Sequence, residues 1–128
     1  MNSDTALDYV ERALRLAQKR AAMIKTITGG VALEPMYDSI VNQLIFLRAL
    51  ISGQENDKSK IHTMTMGIYA AKEFAESDPI FADRLFSASF IADQIGRGLK
   101  VRLPHTLEEG YEDEQHQLRE AFPDDFDV

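Results

Sequence analysis

The chain contains no cysteine among its 128 residues. That excludes a disulfide framework, thiol catalysis and cysteine-ligated zinc, and it fits a reducing compartment. Tryptophan is also absent and aromatic residues make up only 9% of the chain, so a core must be built mainly from aliphatic side chains and alanine. Hydrophobic residues total 45%, enough for one such core, and the length suits one domain. No apolar run approaches the roughly 20 residues of a membrane helix. The opening MNSDTALDYVERALRL has no apolar segment of the kind a secretion signal carries. These features predict a soluble cytoplasmic protein.

Basic charge is scarce, and unevenly so. The formal charge is −7. Residues 1–104 nearly balance, whereas residues 105–128 hold Arg119 as their only Lys or Arg, against nine acids. A nucleic-acid partner needs a basic patch for its phosphates, and none is visible. An acidic segment favours a basic protein surface and speeds encounter with it. The expected organisation is a helical domain over 1–104 and an acidic extension over 105–128.

What is present is helical periodicity. Leu7, Val10, Leu14, Ala17, Ala21 and Ile24 form one apolar stripe, with Ser3 or Asp4 as the cap and Gly29-Gly30 as the stop. A second helix starts near Pro35 and carries Ile40, Leu44, Leu47 and Ile51 up to Gly53. Ser59 is expected to cap a third, with Ile61, Met64, Ile68, Ala71 and Ala75 in line. Asp78-Pro79 opens a fourth, along Phe81, Leu85, Ala88, Ala92 and Ile95. Phe86, Phe90 and Ile91 widen its apolar surface, which places it centrally in a bundle or at an interface, including one between two copies. Lys100–Leu103 reads as an extended lead-out before Pro104. A weaker helix is predicted over 107–121, with Gly110 against it, and the closing DDFDV is expected to be mobile. Short loops predict antiparallel neighbours. The fold class is thus all-α: a four-helix antiparallel bundle with an acidic, partly helical extension. Because all four stripes lie upstream, the bundle is expected to fold without residues 105–128.

A search for chemistry returns little. His62, His105 and His116 have no partners at metal-motif spacing, and Glu112 with His116 fits a surface ion pair. Helical nucleotide hydrolases bind magnesium through acid pairs on facing helices. Glu73 and Glu76, followed by Asp83 and Asp93, offer no second pair at a matching distance. Gly29-Gly30 and Gly96-Arg97-Gly98 lack the strand and spacing of a phosphate loop. The serines show no nucleophile-elbow pattern. Met23, Met36, Met64 and Met66 suit core filling more than an adaptable surface. No catalytic residue, metal or cofactor is expected.

Several segments together resemble one family: Asp8–Leu14, Gln43–Arg48, His62–Gly67, Ala71–Pro79 and Gly96–Pro104. In that order they look like the small helical immunity proteins encoded beside type VI secretion effectors that destroy NAD(P)+. The resemblance spans roughly residues 5–104. It implies a protein that binds a cognate effector toxin domain and covers its active site, with no cofactor and no catalysis. Shorter members of the family end near the equivalent of Leu103-Pro104, so the acidic extension is extra. It reads equally as a phosphate mimic for the toxin's cleft or as a solubilising tail. Aromatic and arginine anchors commonly dominate such interfaces. The candidate contacts are Tyr37, Tyr69, Arg97, Tyr111 and Phe122, with Glu108, Glu109, Glu112, Asp113 and Glu114 as the acidic set. Alternatives are a magnesium-dependent helical nucleotide hydrolase and an adaptor unrelated to toxins.

Overall fold

Helix α1, Ala6–Ile24, begins where its sequence can satisfy its own first amides. The Thr5 hydroxyl accepts from the Asp8 N–H at 3.2 Å, and the Asp8 carboxylate accepts from the Thr5 N–H at 2.8 Å. This reciprocal box makes Thr5 the cap. Asp4, one of the two expected caps, instead pairs with Arg12 at 2.8 Å. The fold is a computed structural model that describes residues 3–128.

The expected stripe of α1 faces inward. Val10, Leu14, Ala17, Ala21 and Ile24 are buried, and Tyr9, Ala13 and Leu16 broaden the face. After Gly29, whose φ of +84° suits glycine, a short 3₁₀ turn Gly30–Leu33 leads into α2, Glu34–Ile51. Ile40, Leu44 and Leu47 of α2 are fully buried. Helix α1 packs on both α2 and α4, Pro79–Gly96. Helix α4 buries nine residues around most of its circumference, including Ile80, Phe81, Leu85, Ala88 and Ile91. Of the two positions that its broad hydrophobicity allowed, it takes the central one, although Phe86 and Phe90 stay exposed.

The third helix departs from expectation. Residues Ser59–Thr63 form a 3₁₀ turn, Met64 is extended, and α3 covers only Met66–Tyr69 before widening into a π-helical turn, Ala70–Phe74. The break resets the helical phase. Met66, Ala70 and Phe74, at steps of four, are buried, whereas Ile68, Ala71 and Ala75 of the expected stripe are exposed. The cap comes from another helix, not from Ser59. The Gln43 side-chain oxygen on α2 accepts from the Thr65 and Met66 N–H groups at 2.8 and 2.9 Å, and its amide nitrogen donates to the Thr65 hydroxyl. Phe74 meets Phe81 at 4.8 Å and Tyr37 at 5.6 Å between ring centroids, which closes the core between α2, α3 and α4.

Residues beyond α4 are bound to the bundle. Gln94 holds Arg102 by two backbone hydrogen bonds of 2.9 Å. Then α5, Pro104–Leu107, and α6, Tyr111–Ala121, fold across α1 and α4. Helix α6 starts four residues later than expected, because Gly110 adopts φ +80° and serves as its N-cap. The Tyr9 hydroxyl lies 2.7 Å from His105 Nδ1 and 3.1 Å from the Tyr111 hydroxyl, inside the molecule. Arg84, 5% exposed, reaches the Asp83 carboxylate, the Gln115 side-chain oxygen and the Phe126 carbonyl. Its guanidinium also lies 4.7 Å from the Phe126 ring centroid. Asp125 receives hydrogen bonds from Lys19 and Arg20. The closing DDFDV, expected to be mobile, is packed: Phe126 and Val128, with Phe122 just before them, lie against the main core. The last residues close over side chains that would otherwise be wet or unpaired.

Four measurements check the packing and the C-terminal contacts. Phe81→Ala should cost about 3–5 kcal/mol in urea unfolding, since the ring is fully buried between α2 and α3. Gln115→Ala strips one acceptor from a buried guanidinium and should cost about 1–3 kcal/mol; removing residues 105–128 should cost more, in a bundle that its four apolar stripes are expected to keep folded. Asp125 gives a pH signature. Arg20 foremost, then Lys19, hold its carboxyl down at about 2, against the opposing effect of partial burial. Its folded value lies below the ordinary 3.8, so its contribution is present above about pH 4 and is lost as pH falls towards 2. The urea midpoint of the native chain should therefore fall more steeply across that window than that of Asp125→Asn.

Candidate protein-binding surface

The residues singled out by sequence fall into two groups once the chain folds. Tyr37, Tyr69 and Phe122 are half-buried and pack against the core, and Tyr111 is 6% exposed with its hydroxyl turned to Tyr9. Tyr37 stacks on Phe81 at 6.2 Å with 8° between ring planes. Their large apolar area is spent within the molecule. Arg97, Glu108, Glu109, Glu112, Asp113 and Glu114 are exposed. Arg97 stands at the end of α4 beside Asp93, 3.6 Å away. The acids cluster around Gly110 and the first turn of α6, where they favour the positive end of the helix dipole.

Those acids are not independent charges. Burial raises the Glu108 carboxyl above its usual range, and the nearby charges of Glu114 and Asp83 push it further the same way. Asp83 is partly neutralised by Arg84 and by the Gln115 amide, at 2.6 and 3.3 Å. Glu114 shares the edge between α4 and α6 with Asp83, and Glu108 ends α5 just before α6. Negative potential is thus concentrated on one flank of the molecule.

The extra apolar width of α4, which the sequence assigned to a central position or an interface, divides between the two: Ile91 is buried, whereas Phe86 and Phe90 remain for a partner to cover. Phe86 is 45% exposed and Phe90 39%, one turn apart on α4, and Ile68 on α3 is 54% exposed. A second group, Met23, Ile27, Val31 and Leu33, stands at the turn between α1 and α2. The signal for Phe86 and Phe90 was available: both lie off the α4 stripe that faces α1. A groove of about 460 Å³ also opens between α2 and the 3₁₀ turn, with Phe46 and Lys60 on its walls.

Reactive chemistry is sparse on these surfaces. Glu73 and Glu76 are exposed, Asp83 is engaged by Arg84, and Asp93 faces Arg97. His116 sits 3.0 Å from Glu120, not Glu112. Among the described residues no group of three or more His, Asp or Glu is placed to hold a metal ion. Among the described residues no helix is long and apolar enough to cross a membrane. The arrangement offers shape, apolar area and charge to a partner surface.

Known proteins share this design. The chain is 34% identical over 103 residues to the immune protein Tsi6 of Pseudomonas aeruginosa, covering 78% of this chain and 99% of that protein. A chain in the solved structure of Tse6 in complex with Tsi6 superposes with a TM-score of 0.69 at 34% identity, over 79% of this chain and all of the other. The solved structure of Tsi6 from Pseudomonas aeruginosa gives a TM-score of 0.62 at 34% identity, over 82% of this chain and all of the other. The sequence profile of the Tsi6 family matches residues 5–94, from the cap of α1 almost to the end of α4. The chain belongs to the Tsi6 family of all-helical immune proteins.

Proposed function

We propose that this chain is an immunity protein that acts by binding and not by catalysis. Its partner is a cognate type VI secretion toxin domain, an NAD(P)+-consuming enzyme, and the bound chain excludes substrate from the toxin's active site in the cytoplasm of the producing cell. The observation that carries this reading is the similarity over essentially the whole of the immune protein Tsi6, a protein solved in complex with Tse6. Occlusion needs a rigid complementary surface, and a bundle centred on the buried face of α4 supplies one. Residues 1–104 form the immunity-type body. Residues 105–128 add an acidic face, on which Glu108, Glu109, Glu112, Asp113 and Glu114 are the proposed contacts, with Arg97 at the end of α4. Tyr111 and Phe122 serve that face indirectly by fixing the C-terminal segment to the bundle, and Tyr37 and Tyr69 serve by packing the core of the body.

The test is co-expression with the toxin domain encoded beside this gene. Cells producing the toxin alone should lose NAD(P)+ and stop growing, and an equimolar amount of this chain should restore both and co-purify with the toxin. Continued depletion despite stoichiometric chain would refute the proposal. So would nucleotide turnover by the purified chain with Mg2+, lost in Glu73→Gln or Glu76→Gln.

A further inference from the structure

The family match ends at residue 94, and the whole of the Pseudomonas aeruginosa relative accounts for 78% of this chain. The segment carrying α6 lies beyond the family match, yet it is fastened to the family portion by Arg84–Gln115, Arg84–Phe126 and Arg20–Asp125. Fastening a helix beside α4 creates a groove between them of about 550 Å³. One wall is α4, with Ala82 and Phe86, the other is α6, with Leu118 and Ala121, and Ala75 stands at its end. Its floor and walls are mainly apolar. Its charged lining consists of two carboxylates, Asp83 and Glu114, with no lysine or arginine.

Phe86 also borders a second hollow of about 470 Å³ towards α3, shared with Ile68 and Ala71. That hollow exists because α3 approaches α4 closely at Gly67, where a Cβ atom would stand 2.4 Å from the Ser89 hydroxyl. The exposed residues of α3 that the expected stripe had wrongly turned inward are therefore continuous with the groove through Phe86. A partly exposed aromatic between two apolar hollows, with acids on one flank, matches the anatomy of an interface hot spot.

We infer that the groove between α4 and α6 is the surface that selects the cognate toxin, and that its occupant is a protruding apolar segment of the toxin domain flanked by lysine or arginine. This rests on the immunity reading above. The charge argument favours such an occupant over a second copy of this chain: residues 105–128 hold nine acids against Arg119, so two copies meeting at this face would bring like charges together. The segment outside the family match thus contributes half of the binding surface, and toxins cognate to family members without it would lack the complementary segment.

The experiment uses the purified full chain and the purified toxin domain encoded beside its gene. Phe86→Glu should weaken binding by about 100-fold or more, with the helical circular dichroism retained because the ring is 45% exposed and lies outside the core. Glu114→Lys should slow association several-fold and flatten its dependence on salt. Ile45→Glu, at an exposed position of α2 outside both hollows, should bind as the native chain does. Native affinity in folded Phe86→Glu, or loss of binding in Ile45→Glu, would overturn the assignment. A native chain that sediments as a dimer and becomes a monomer in Phe86→Glu without a change in toxin affinity would also overturn it, by identifying a second copy as the occupant. Failure of the native chain itself to bind the toxin domain would instead refute the immunity reading.

Discussion

A guanidinium withdrawn from water must be met by acceptors, because an unpaired buried charge is far costlier than a paired one. Arg84 sets that condition for this molecule. It lies on the central helix, 5% exposed, and its acceptors come from two directions: Asp83 beside it, and Gln115 with the Phe126 carbonyl from the C-terminal segment. Once α6 is placed by this demand, Tyr111 must sit against Tyr9 and Asp125 against Arg20. The Phe126 ring closes the arrangement, with the guanidinium carbons of Arg84 and Arg119 each 4.7 Å from its centroid. The acidic face is held rigid by basic groups beneath it.

That rigidity matters for how an inhibitor of another protein works. A disordered acidic tail would lose conformational entropy on binding and give up part of its interaction energy. Here the ordering is accomplished during folding. Glu112, Asp113 and Glu114 project from the first turn of a formed helix, and encounter with a basic surface needs no further folding. Helix α4 links the two tasks: its inner faces hold the core together, and its outer face presents Phe86 and Phe90 to solvent.

Two side-chain amides show how tertiary contacts replaced local signals. Gln43 caps α3 from across the bundle, so the helix begins at Met66 although Ser59 has the residue type of a cap. Gln94 pairs with both backbone groups of Arg102 and turns the lead-out of α4 back along the bundle. Neither role is readable from sequence, because a glutamine in an amphipathic helix looks like an ordinary surface residue until its partner arrives.

The sequence by itself determined the all-helical class, the buried stripes of α1 and α2, the broad apolar surface of α4 and the excess of acid after residue 104. Each follows from a period, a residue type or a count that neighbours along the chain express. Only the tertiary structure decided the phase of α3, where a 3₁₀ turn and a π turn interrupt the period that made Ile68, Ala71 and Ala75 look buried. It also decided that Tyr111 and Phe122 turn inward, that Asp125 is tied to Arg20, and that the flank of α6 forms a groove with α4. These outcomes depend on pairs about 100 residues apart, such as Tyr9 with Tyr111 and Arg20 with Asp125. Local periodicity carries no information about such pairs, since the desolvation of one member is compensated only when the other reaches it through space.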